Sequence, residues 1–352
     1  MPKMRAALAI AVLATVSTVL AGEKPLKIFI MAGQSNMQGK ARVRTIARLN
    51  MTDDSKQMYQ DMKVKDGMPS AVEGVHGVYF TAGDKKFGKS RALSVRKGPL
   101  QPGFGSSMSA NTTFGPEYTF GIYMQKHLNE PFLVIKCAWG GRDLVQQFRP
   151  PSGGEYEKAQ CRHKLPTGYY YGEIVKHVKT VMADPGAYHP GYKQGAGCEI
   201  AGFVWFQGFN DKIQRYPKQE YGRLLACFIR DIRKDLSAPK MPFVIGVMGI
   251  GGTNERCSFR KAQSAPAALP EFKGNVVAIR TGQFWDKELV RIQKKLKEKG
   301  KSSATPEEAN FLKVATSDGG YHYMGSAYIY GRIGKSFADA MFEMVKANGS
   351  GK

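Results

Sequence analysis

The chain has 352 residues, 42% of them hydrophobic, and a formal charge of +23, which is enough sequence for one large α/β domain with a thick core. Its five cysteines, Cys137, Cys161, Cys198, Cys227 and Cys257, show no C-x-x-C spacing, which argues against a structural zinc site. One or two disulfides fit such a chain, but the core is too large for a disulfide scaffold.

Lys3 and Arg5 precede an apolar stretch from Ala6 to Leu20, and Val19-Leu20-Ala21 supplies the small residues of a cleavage site. Residues 1–21 thus read as an export signal, too short for a membrane span of about 20 apolar residues. No later segment is long enough to span, so the mature chain is expected to be periplasmic or secreted, with no membrane span.

Leu26-Lys27-Ile28-Phe29-Ile30-Met31-Ala32 is an apolar run of strand length that stops in Gly33-Gln34-Ser35-Asn36-Met37-Gln38-Gly39. A serine at a strand-to-turn corner stands clear of the sheet beside unpaired backbone N–H groups. Those are the two needs of a nucleophile whose oxyanion must be held by fixed donors.

Residues 40–112 read as irregular. A helix starts at Phe114-Gly115-Pro116-Glu117, with proline in its first turn, and runs to about Leu128. Phe132 to Cys137 is a second strand, ending in Ala138-Trp139-Gly140-Gly141-Arg142; a helix is expected from Tyr171 to Met182. Ile200 to Phe206 is a third strand, followed by Gln207-Gly208-Phe209-Asn210-Asp211. Tyr221, Leu224, Leu225, Phe228 and Ile232 mark one face of the next helix. Strands at Phe243–Met248 and Asn275–Ile279, a basic helix near Lys287–Lys299 and a final helix bearing Ile333, Phe337, Ala340, Met341 and Met344 complete the pattern. Such alternation implies a parallel sheet covered on both faces, with a site beyond the carboxyl ends of the strands.

A serine nucleophile needs a base, and the chain has six histidines. His76 and His163 read as loop residues, His127 and His177 as helical, and His189 as part of a turn. His322 differs: it follows Asp318-Gly319-Gly320-Tyr321 just before the last helix, on a loop that can swing over the strand ends toward Ser35.

These blocks, in this order, resemble the SGNH (GDSL-like) hydrolases, in the variant of sialate O-acetylesterase-like domains and carbohydrate esterase family six. The resemblance implies a three-layer α/β/α sandwich with a mainly parallel, five-stranded, flavodoxin-like sheet. One esterase domain over residues 25–347 would carry insertions near 40–112, 150–195 and 253–310. It implies Ser35 as nucleophile, His322 as base, and an oxyanion hole made by the N–H groups of Ser35 and Gly115 with the Gln207 amide. No metal or organic cofactor is required. The family places its orienting aspartate three residues before the histidine. Here Asp318 stands four before His322, so Asp211, Glu117 or a backbone carbonyl remain alternatives for that role. Phe209 takes the place of the glutamate in the family's W-x-Q-G-E motif. Gln34, Asn36, Trp139, Arg142 and Asn210 are expected to touch substrate, with core packing the alternative for Trp139.

The activity implied is removal of O-acetyl groups from carbohydrate, a polysaccharide or a sialic-acid-like sugar, through an acetyl-serine. A non-catalytic glycan-binding protein on a decayed esterase scaffold and an esterase or lipase for other acyl esters are the competing classes. Removing Lys3 and Arg5 with the leader takes the charge of +23 to +21, much of it in Lys85–Lys97 and Arg291–Lys301. Such a surface attracts polyanions. Both runs read first as solvated surface; no nucleic-acid-binding motif accompanies them, so any polyanion bound there would be an acidic or sulfated glycan.

Overall fold

The computed structural model describes residues 23–80, 95–106, 112–156, 165–214, 216–254 and 256–349. The leader, the basic cluster from Lys85 to Arg91, Cys161 and His163 lie outside them. In chain order the elements are β1 (Leu26–Gly33), α1 (Ser35–Gln38), β2 (Ala41–Arg42), α2 (Asp53–Asp61), β3 (Val75–Phe80), β4 (Val95–Pro99), β5 (Thr113–Phe114), α3 (Pro116–Leu128) and β6 (Phe132–Ala138). There follow α4 (Tyr169–Ala183), β7 (Cys198–Phe206), α5 (Phe209–Ile213), α6 (Lys218–Asp235), β8 (Phe243–Val247), α7 (Ser258–Ser264), β9 (Val276–Arg280), α8 (Lys287–Lys299), α9 (Pro306–Ala315) and α10 (Ala327–Gly349).

The main sheet has seven strands in the order β4-β3-β6-β1-β7-β8-β9, and all but β4 run parallel. The five strands expected from sequence form its contiguous part, β6-β1-β7-β8-β9. The hairpin β3–β4 is the correction: it adds two strands at the β6 edge, and His76 belongs to β3 rather than to a loop. This pair escapes a reading by apolar runs because His76 and Gly77 interrupt β3, while Arg96 and Lys97 make β4 a polar edge strand.

β1 sits at the centre and is buried on both sides. Ile28, Ile30 and Ala32 join one core with residues of α4 and α6, while Phe29 and Met31 join the other with residues of α3 and α10. Period-two alternation within one continuous apolar run thus builds three layers. The basic helix α8 buries only Leu289 and Ile292, leaving its cationic positions at the surface. Cys137, Cys198, Cys227 and Cys257 are free thiols. Among the described residues no helix is long and apolar enough to cross a membrane.

Register positions the site. Gly33, the last residue of β1, pairs with Ala138 at the end of β6 and with Phe206 at the end of β7. Three loops therefore emerge side by side at one edge, where strand order reverses about β1, and such a switch point opens a crevice. Gly33 is required there: a Cβ would lie 2.1 Å from the Phe206 carbonyl oxygen.

Candidate active site

Ser35 opens α1 directly after the Gly33-Gln34 corner and is 9% exposed. Its backbone N–H, at the first turn of the helix, has no acceptor among the described residues. The loop after β6 brings Gly140 against it: a Cβ on Gly140 would lie 3.7 Å from Ser35 Cβ and 2.8 Å from Gln38 Oε1. The Gly140 N–H likewise meets no acceptor among the described residues. Two unpaired amides thus belong to Ser35 itself and to the residue packed against it.

His322 lies on the turn Gly320–Gly325, and Asn36 ties this turn to α1 by donating from Nδ2 to the Tyr321 carbonyl at 3.3 Å. Asn36 Oδ1 in turn accepts from Tyr330 Oη on α10 at 3.1 Å. Tyr323 and Met324, just past His322, hold left-handed backbone angles (φ of 49° and 60°), a strain of about 1–3 kcal/mol each. Tertiary bonds sustain it: the Tyr323 hydroxyl accepts the Gly249 N–H at 2.7 Å and shares a hydrogen bond with Thr281 Oγ1 at 2.6 Å. Ser317 Oγ, between the carbonyls of Lys40 and Gly325, fastens the base of the loop to the segment after α1.

Asp318 Oδ1 stands 3.2 Å from His322 Nδ1, an ion-pair distance without the alignment of a hydrogen bond, and also accepts the Gly319 N–H at 2.6 Å. Both alternatives for the acid are committed elsewhere. Asp211 accepts the N–H groups of Leu144 and Val145 and pairs with Gln207, and burial together with neighbouring Asp143 pushes its carboxyl up to about 8. Glu117 accepts the Gly115 N–H at 2.9 Å and meets Lys136 at 2.7 Å, both carboxylate and ammonium being fully buried. Burial pushes Glu117 up and Lys136 down to about 8, each toward its neutral form, against the attraction between them.

Lys136 was not legible as a site residue. Its Nζ donates at 2.7 Å to the carbonyl of Gln38, the last residue of α1, and at 2.7 Å to that of Phe104. A buried cation on β6 therefore holds the far end of the helix that carries Ser35. Removing one partner of such a buried pair costs about 3–5 kcal/mol, because it strands the other charge.

Two expected oxyanion donors are spent. The Gly115 N–H is taken by Glu117. Gln207 is 1% exposed, and its Nε2 faces Asp211 Oδ2 at 2.6 Å, the Arg142 carbonyl at 2.9 Å and Gln34 Oε1 at 3.1 Å, more acceptors than it has protons. The structure thus makes Gln207 a bracket between loops. Gly140, quoted in sequence only as part of a Gly-Gly corner, is the amide beside Ser35. The signal for it was its place after a strand adjacent to β1.

The residues expected to touch substrate are placed as follows. Trp139 is 2% exposed and packs on Phe148, Tyr170 and His177 in the core. Arg142 is buried with its guanidinium over the Tyr170 ring. Gln34 is a latch: its Oε1 accepts from Gly208 N–H and Asn210 N–H, and its Nε2 donates to Asn210 Oδ1 at 3.0 Å. Asn210 is half-buried and donates to the Gly141 carbonyl at 2.9 Å, joining the loops after β6 and β7. Among the described residues no three His, Cys, Asp or Glu side chains cluster as a metal site.

Burial holds His322 below the usual 6.5; Asp318 opposes this, and the positive charge of Lys40 adds to it. A base must be neutral to accept a proton, so the acid limb of kcat/KM should fall below pH 6.5. Removing the Lys40 charge in Lys40→Gln raises the imidazole pKa and should move that limb upward. A limb that stays fixed or moves down in the pH profile of Lys40→Gln would disconnect it from His322.

Residues 25–288 match the family described as carbohydrate esterase, sialic acid-specific acetylesterase (SASA). An Arabidopsis thaliana protein of known X-ray structure superposes with a TM-score of 0.50 at 17% identity, over 90% of this chain and 98% of its own. A carbohydrate acetylesterase from Xanthomonas citri aligns at 14% identity with a TM-score of 0.42, over 71% of this chain and 48% of its own. No curated protein sequence matches the chain. The chain belongs to the SASA family of carbohydrate esterases and is a carboxylic-ester hydrolase.

Proposed function

We propose that this carbohydrate esterase is exported and removes O-acetyl groups from sugar through an acetyl-Ser35 intermediate. The observation that carries the reading is a serine with an unpaired N–H, packed against Gly140 whose N–H is also unpaired, on a helix tied to the His322 turn. His322 takes the Ser35 proton as Oγ bonds to the acetyl carbon. The electron pair of the carbonyl moves to its oxygen, which the two amides receive. Collapse of this tetrahedral species expels the sugar oxygen, and His322 returns the proton to it. Water then attacks the acetyl-serine and gives its proton to His322. Acetate departs as Ser35 regains its hydrogen. Asp318 orients His322 and steadies its cationic form.

Export rests on residues 1–21, and the charge of +21 that remains favours an acidic glycan. The test is acetate release from acetylated polysaccharides, neutral and uronate-rich or sulfated, across a salt series. Acetylated glycan should yield acetate with the wild type and only a small residual amount with Ser35→Ala. KM for the acidic glycans should rise with salt more than for neutral ones, since screening acts over about 8 Å at physiological ionic strength. No acetate from any acetylated glycan would overturn the substrate reading, and identical salt dependence would remove the acidic preference.

A further inference from the structure

The two departures from the family's sequence pattern meet in space. Phe209 stands where the family carries glutamate, on the first residue of α5 after β7. Tyr321 belongs to the lengthened stretch between Asp318 and His322. Their rings lie 6.2 Å apart at 29°, nearly parallel. The Tyr321 ring also stands edge-on to the His322 imidazole, 4.3 Å between centroids.

The arrangement is built rather than incidental. The Tyr321 carbonyl is fixed by Asn36, the residue after the nucleophile. Gly319 lies under the ring so closely that a Cβ there would come within 2.7 Å of it. Yet Tyr321 is 50% exposed, the one aromatic among the most exposed large hydrophobic side chains of the described residues. An aromatic side chain held in place with an open face, beside a catalytic base, offers apolar area at little further entropic cost.

We propose that Tyr321 and Phe209 form a platform for the pyranose ring that carries the acetyl ester, receiving its C–H face. This rests on the acetylesterase reading above and specifies which part of the substrate the chain recognises. His322 must return a proton to the sugar oxygen, so the groups flanking it border the alcohol portion of the ester and not the acyl portion. Position 209 carries an aromatic ring where the family pattern has a carboxylate, so this chain offers a stacking surface there. The platform therefore selects cyclic alcohols by shape, in addition to any attraction of acidic glycans by the overall charge.

The test compares kcat/KM for a mono-O-acetylated methyl pyranoside with kcat/KM for ethyl acetate, whose alcohol is too small to stack, using the full chain. The ratio of the two should fall about three- to tenfold in Phe209→Ala and in Tyr321→Ala, and about 10- to 30-fold in the double variant, mainly through KM for the pyranoside. Tyr321→Phe and Phe209→Tyr, which keep the rings, should retain the wild-type ratio. A ratio unchanged in the alanine variants, or lowered as much in Tyr321→Phe as in Tyr321→Ala, would overturn the platform alone. Turnover of ethyl acetate that persists in Ser35→Ala would instead overturn the serine-esterase reading, and the platform with it.

Discussion

Replacing Ser35 with alanine should lower kcat for an acetylated sugar by about 10⁴- to 10⁶-fold while leaving the folded chain intact. The size follows from what the substitution removes. No other serine stands at the corner after β1, and without Oγ no acyl-enzyme forms there. The two amides of residues 35 and 140 survive the change, so a residual rate above that in water is expected from oxyanion stabilisation and binding. Ser35 opens the short helix α1, where alanine is well tolerated, so stability should change little. A loss of activity that tracked a loss of folding, seen as a lowered Tm, would remove this explanation.

The second large effect concerns the base and its carboxylate. His322→Ala should lower kcat by at least about 10⁴-fold, and Asp318→Asn by about 10²- to 10⁴-fold, since a triad acts as a unit. Asp211→Asn should behave differently. That carboxylate holds the N–H groups of Leu144 and Val145 together with Gln207, so its replacement strands buried donors, at about 1–3 kcal/mol, and lowers Tm. Glu117→Gln should likewise act on stability, through Lys136. Steady-state kinetics and thermal unfolding on the same four variants separate the roles. An Asp318→Asn enzyme as active as the wild type, or an Asp211→Asn enzyme of normal Tm and lost activity, would reassign the acid.

What the sequence disclosed and what it hid follow from the range of the interactions. Ser35 was legible because its situation is local, an apolar strand stopped by a small-residue turn. His322 was legible because few histidines compete and this one stands before the last helix. Which amides stay unpaired was not legible, because that depends on which acceptor folds onto each. The Gly115 N–H is taken two residues away by Glu117, and the Gln207 amide by partners from three loops. Trp139 and Arg142 read as rim residues beside the family resemblance, with core packing open for Trp139, and both are buried in the fold. Lys136 is the clearest omission. A lysine inside an apolar strand reads as noise until the chain places Glu117 and the end of α1 around it.

The central claim is that Ser35 is the nucleophile, and covalent labelling addresses it most directly. The wild-type enzyme is treated with a fluorophosphonate, digested, and the adduct located by peptide mass spectrometry. The account predicts one adduct, on the peptide bearing Ser35, and none in Ser35→Ala. An adduct on another serine, or labelling that persists in Ser35→Ala, would contradict it.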